Sequence, residues 1–124
     1  MNREIEFRGK HIHILKENEK LNGTWVYGYL CNENYIFSEK LGGDMLVDKN
    51  TIGQYTGLKD CNGVKIFEGD ILREYSNDIE DWVVSYEYGK FVGTYDNVCE
   101  DLYELSDLEV IGNIYENNLE SKGE

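Results

Sequence analysis

Trp82-Val83-Val84-Ser85-Tyr86-Glu87-Tyr88-Gly89-Lys90-Phe91-Val92-Gly93-Thr94-Tyr95 is the stretch that decides the fold. Two runs of period-two character flank a glycine, which is the pattern of two half-buried strands joined by a tight turn. Gly89-Lys90 as the central pair predicts a type II′ turn, because glycine accepts the positive φ of its first position. That register sets Tyr88 opposite Phe91, Tyr86 opposite Gly93 and Val84 opposite Tyr95, all on one face. Glu87, Ser85, Val92 and Thr94 fall on the other. Both strands agree on which side is apolar, and a slip by one residue would destroy the agreement.

The same alternation runs upstream. Glu4–Arg8 reads as a strand with Ile5 and Phe7 on one side, and His11–Leu15 alternates again. Thr24–Cys31 places Trp25, Tyr27 and Tyr29 on one face and Val26, Gly28 and Leu30 on the other. Tyr35-Ile36-Phe37 reads as its return strand, Gly42-Gly43-Asp44 as a break, and Met45-Leu46-Val47 as a short apolar segment. Asn62-Gly63 predicts a two-residue type I′ turn that pairs Cys61 with Val64 and Asp60 with Lys65. Downstream, Asn97 with Glu100 resembles a helix N-cap and its capping-box partner, and Val98, Leu102 and Leu105 have helical spacing. One short helix over 97–106 follows. Asp107–Tyr115 returns to strand, with Leu108, Val110, Gly112 and Ile114 sharing a face. The polar residues 116–124 read as a frayed end.

Proline is absent, so turns fall to the 13 glycines and the many Asn and Asp residues. Many short strands with such turns predict a mostly β protein, a small barrel or roll with at most one short helix. At 124 residues the chain can bury a core of its own. No apolar run approaches the ~18 residues of a membrane span. The charged N-terminus lacks the apolar stretch of a signal peptide, which predicts a cytoplasmic protein. Cys31, Cys61 and Cys99 form neither a C-x-x-C pair nor an even disulfide set, and read as reduced, mostly buried thiols.

The formal charge is −13 and is unevenly spread. Residues 1–75 carry ten Lys/Arg against twelve Asp/Glu, whereas 76–124 carry only Lys90 and Lys122 against thirteen acids. Binding to a phosphate backbone depends on Lys and Arg displacing counterions. Duplex nucleic acid is therefore an unfavourable partner for the second half. Three readings of the acidic field stay open: solubility, steering of a basic protein partner, or imitation of a phosphate array.

Several blocks now fit together: Arg3-Glu4-Ile5-Glu6-Phe7-Arg8-Gly9-Lys10, then Gly23–Leu30, then Ile52-Gly53-Gln54-Tyr55-Thr56-Gly57-Leu58-Lys59-Asp60. Asn62-Gly63 and Ile66-Phe67-Glu68-Gly69-Asp70-Ile71 follow, and Val110–Asn117 closes the series. In this order they resemble the YopX family, small proteins encoded by phages and prophages. The resemblance implies a β segment over 1–50, an SH3-like barrel over 51–116 and a flexible tail over 117–124. It implies no activity, catalytic residue or cofactor. The chain departs from the pattern in lacking prolines near Lys49 and Asn118, and in holding Cys61 where Lys is common. Within the long block, Asp70 is expected to fix a turn by accepting backbone N–H groups, and a ligand surface on the Gln54–Asp70 region is the alternative.

Tests for chemistry come out negative. His11 and His13 would share a strand face, but no spacing selects the further ligands zinc needs. No Ser-His-Asp arrangement, nucleophile elbow or phosphate loop occurs. Glu68 and Asp70 flank Gly69 and read as a turn, not an acid–base pair. The expectation is a non-enzymatic module without cofactor or metal that binds a host or phage protein. Its interaction surface is Trp25, Tyr27, Tyr29, Gln54 and Tyr55. The alternatives are a DNA mimic that inhibits a DNA-binding protein, and a single-strand binder using the aromatic face. Exposed strand edges also point to self-association as one way of covering them.

Overall fold

Strand alternation sets the architecture of the computed structural model, which describes residues 4–13, 23–75 and 79–116. The elements are β1 (Phe7–His11), β2 (Trp25–Asn32), β3 (Tyr35–Ser38), β4 (Gly43–Lys59), β5 (Lys65–Phe67) and β6 (Asp70–Tyr75). Then come β7 (Ile79–Glu87), β8 (Lys90–Tyr95), β9 (Val98–Asp101), α1 (Leu102–Leu105) and β10 (Glu109–Asn113). They form two five-stranded antiparallel sheets, in the orders β1-β2-β3-β4-β5 and β10-β6-β7-β8-β9. The mostly β fold with one short helix expected from the sequence is the fold observed. The chain divides into two compact units, Met1–Tyr55 and Thr56–Glu124, with β4 running through the division.

In the first unit β1 pairs with both β2 and β4, so strands β1 to β4 close into a ring. The closure is uneven. Between Arg8 and Lys10 of β1, the partner positions on β4 jump from Gly53 to Asp48. Side chains tie the extra β4 residues down: Asn50 N–H donates to Asp48 Oδ1 at 3.0 Å, and the Thr51 hydroxyl donates to the Asp48 carbonyl at 2.7 Å. Thr51 Oγ1 in turn accepts the Lys10 N–H at 2.8 Å. Bulges bend strands, and this one lets the 17-residue β4 leave β3 and turn onto β1. Val26, Ile36 and Val47 fill the interior, with Phe7, Met45 and Ile52 against them. Gly28 is needed mid-strand because a Cβ there would overlap the Phe37 carbonyl oxygen on β3.

The second unit is built on Ile66, Leu72, Trp82, Val84, Leu102 and Leu105. Its hinge point is Asp60, 7% exposed. Asp60 Oδ1 accepts the N–H groups of Asn62 (2.8 Å) and Val64 (2.9 Å), and Oδ2 accepts that of Val110 (2.9 Å), 50 residues away. Burial alone would raise the pKa of this carboxyl. The N–H groups of Val110, Val64 and Asn62, with Gly63, outweigh burial and hold it below its ordinary value. Asp70 works similarly as expected, accepting the Phe67 N–H at 2.8 Å while itself buried.

Three local expectations change. The Asp60–Val64 turn has a three-residue loop: Gly63 alone takes positive φ, and Asp60 N–H donates to the Val64 carbonyl. A type I′ turn needs positive φ at Asn62 as well, and the Asp60 carboxylate instead fixes the turn from inside. The β7–β8 hairpin turns at Tyr88-Gly89, with φ of 55° and 80°, in the manner of type I′. Its register pairs Tyr86 with Phe91, Val84 with Gly93 and Glu87 with Lys90. This keeps every expected face but slips the partners by two, gaining an opposite-charge pair and an edge-to-face contact between the Tyr86 and Phe91 rings at 4.9 Å. Finally, residues 98–101 are strand, not helix. The helix is Leu102–Leu105, which buries both leucines over Gly93, where a Cβ would overlap Leu105.

The cysteines also differ from expectation. All three are exposed and free. Cys31 lies at the end of β2, Cys61 in the Asp60 turn, and Cys99 on the outermost strand β9. In the Glu109–Asn113 strand a bulge between Val110 and Gly112 breaks the expected alternation, and Ile114 beyond it is exposed. Residues 117–124, and the Ile14-Leu15 continuation of the first strands, lie outside the described residues.

Asp60→Ala should lower stability by about 3 kcal/mol in denaturant titrations, because it orphans three backbone N–H groups. A depressed carboxyl pKa contributes stability above the unfolded value that is lost as acid protonates the folded carboxylate. The gap between wild type and variant should accordingly close as pH falls below about 4. Tyr88→Asn should instead stabilise by about 0.5–1 kcal/mol, since asparagine adopts positive φ more readily than tyrosine.

Candidate functional site

Alternation along β2 turns Val26 into the ring and leaves Trp25, Tyr27 and Tyr29 on the outer face, with Tyr27 44% and Tyr29 60% exposed. Register brings neighbours alongside each: Lys10 opposite Trp25, Arg8 opposite Tyr27, and Phe37 opposite Tyr29. The Tyr29 and Phe37 rings stack nearly parallel at 6.5 Å. Arg8 Cζ sits 4.5 Å and Lys10 Nζ 5.5 Å from the centre of the Trp25 ring. Both lie within the range of attraction between a cation and an aromatic face. A nucleobase stacking on Trp25 would compete with two internal cation–π contacts.

A groove of about 340 Å3 runs along this face, walled by Tyr27, Tyr29 and Phe37 and rimmed by Glu4, Glu6, Glu39 and Lys40. A smaller hollow of about 160 Å3 adjoins it through Tyr27 and Lys40, lined also by Trp25 and Leu41. Together they form an aromatic trough with three glutamates around the larger hollow and Lys40 shared by both. Such a surface is suited to burying apolar side chains of a partner and to attracting positive charge.

The other two expected residues stand elsewhere in the unit. Gln54 pairs with Phe7, which faces the ring interior. Tyr55 is 5% exposed and its N–H donates to the Glu6 carbonyl at 2.7 Å. The structure therefore groups Trp25, Tyr27 and Tyr29, and leaves Gln54 and Tyr55 on β4 outside that group.

The histidine pair is close, with ring centroids 3.8 Å apart. Burial first, and the neighbouring His13 second, push the His11 pKa down. Among the described residues no group of three or more His, Cys, Asp or Glu side chains gathers as a metal site would require. No helix among them is long and apolar enough to cross a membrane.

A family model described as YopX protein matches residues 5–120. The chain belongs to the YopX family. No curated protein matches it. The match spans both units, and within it the block from Gln54 to Ile71 is knotted by Asp60 and Asp70. In this YopX-family chain the block thus has an architectural role. Sequence reasoning assigned Asp60 to a cross-strand pair with Lys65. The Asp-x-Asn-Gly spacing is itself the mark of a side chain capping its own turn, and would have revealed half of what Asp60 does.

Because folding lowers the His11 pKa, the folded state binds that proton less readily than the unfolded chain. Stability should decline as pH drops below 6.5, the ordinary value. In His11→Gln that part of the pH dependence, followed by thermal unfolding, should diminish.

Proposed function

We propose that this YopX-family protein is a phage-type, non-enzymatic acidic β module that works in the host cytoplasm by binding a host or phage protein. The observation that supports this most is the outward aromatic row on β2, with Tyr27 and Tyr29 exposed along a groove bordered by three glutamates. Tyrosines are enriched at protein interfaces because they bury a large rigid area while keeping a polar tip. The 13 acidic residues of positions 76–124 supply a field that draws in a positively charged partner.

Capture from infected cells with the full chain, beside a Tyr27→Ala/Tyr29→Ala double variant, tests the reading. A protein retained by the wild type and lost from the folded variant is the expected result. Retention of the same proteins by both, or of none, would overturn it. With the partner purified, its association rate should fall as salt is raised toward ~0.5 M, where screening shortens to a few Å.

A further inference from the structure

A second surface, on the other unit and independent of the β2 face, has the chemistry of a docking pocket. A hollow of about 370 Å3 is floored by Leu58, Phe91 and Leu102, with Tyr103 on its edge and Lys90 and Asp101 at its mouth. It is a shallow, open hollow, wide enough to seat one bulky side chain. The single cation at the mouth is already engaged, since Lys90 Nζ lies 2.6 Å from Asp101 Oδ1. Glu100 and Glu104, both exposed, flank Asp101 and Tyr103 in the chain. The hollow is thus apolar inside, its ion pair is neutral, and the exposed charges beside it in the chain are Glu100 and Glu104 against Lys59.

The aromatic surroundings point the same way. Tyr103 is 75% exposed. Tyr86 meets Phe91 edge to face, and Tyr88, 86% exposed, stands on the turn just before Lys90. Tyr88 holds φ at 55°, where asparagine or glycine would cost less. Its ring is thus presented to solvent from a costly backbone conformation, a combination that packing alone does not account for.

We infer that this pocket receives one large apolar side chain, carried on a segment of a partner protein whose flanking residues are Lys or Arg. Charge complementarity selects that occupant. A second copy of this chain would press Glu100 and Glu104 against the same pair, and an acidic segment would meet the same repulsion. Tyr103 and the apolar floor would hold the anchor, and Glu100 and Glu104 would face the basic flanks.

The test uses the full chain, labelled with nitrogen-15, and three synthetic peptides capped at both ends: Lys-Lys-Phe-Lys-Lys, the same peptide with Ala for Phe, and Glu-Glu-Phe-Glu-Glu. In low salt the basic phenylalanine peptide should give saturable shifts at the amides of Leu58, Phe91, Leu102 and Tyr103. The alanine and acidic peptides should bind about tenfold more weakly. Tyr103→Ala, whose side chain is largely in solvent, should keep a dispersed spectrum and weaken the basic peptide several-fold. No saturable shift at millimolar peptide, equal binding of the acidic peptide, or shifts confined to Trp25, Tyr27 and Tyr29 would each overturn the inference. So would shifts that follow protein concentration instead of peptide, which would mark a second copy as the occupant. Since the β2 double variant should bind the peptide unchanged, failure here is distinguishable from failure of the proposed function.

Discussion

One carboxylate holds the second unit together. Asp60 is nearly out of water and keeps its charge because three backbone N–H groups point at it, two from its own turn and one from β10. A buried charge without such donors would be strongly unfavourable. With them it fixes the turn after β4 and the start of β10 at the same moment. The Cys61 N–H adds a bond to the Leu108 carbonyl beside it. Asp70 repeats the device one turn later. A chain without prolines has to stiffen its corners by other means, and here it does so with side-chain oxygens that replace missing backbone acceptors.

Much of the fold was legible because a period of two is a strong signal. Val26 on the face opposite Tyr27 and Tyr29, and Val84 sharing a face with Gly93, follow from alternation alone. Alternation fixes parity, however, and not partners. The β7–β8 hairpin slipped by two residues from its expected pairing without moving any side chain to the other face, because an even slip preserves parity. What decided it was Tyr88 adopting a left-handed conformation, which propensity argues against. The capping pattern at Asn97 failed for a related reason. Residues 98–101 pair with β8, and the sheet outweighs the local helix preference.

The features that escaped are those that depend on contacts distant in sequence. Nothing in Asp48–Thr51 announces that Lys10 will need the Thr51 hydroxyl, or that the ring closes only by bulging there. Trp25, Tyr27 and Tyr29 were identifiable as one stripe, while Gln54 and Tyr55 stood out through a motif whose main work is architectural. The pocket bounded by Lys90 and Asp101 was invisible because its walls come from β4, β8, β9 and α1. No window of the sequence contains it.

Ring closure has a consequence for how these molecules behave in a crowd. Strands with unpaired edges invite templated addition of a further strand, the first step toward fibrils. In the first unit β1 is hydrogen-bonded on both sides, so the described strands β1 to β4 close, unevenly, on one another. The second sheet ends in β9, four residues long with two acids, and in β10, kinked by its bulge. Short, charged and bent borders are poor seeds. Among the described strands of the second sheet, the bonds that build it thus end on borders that offer little to a further strand.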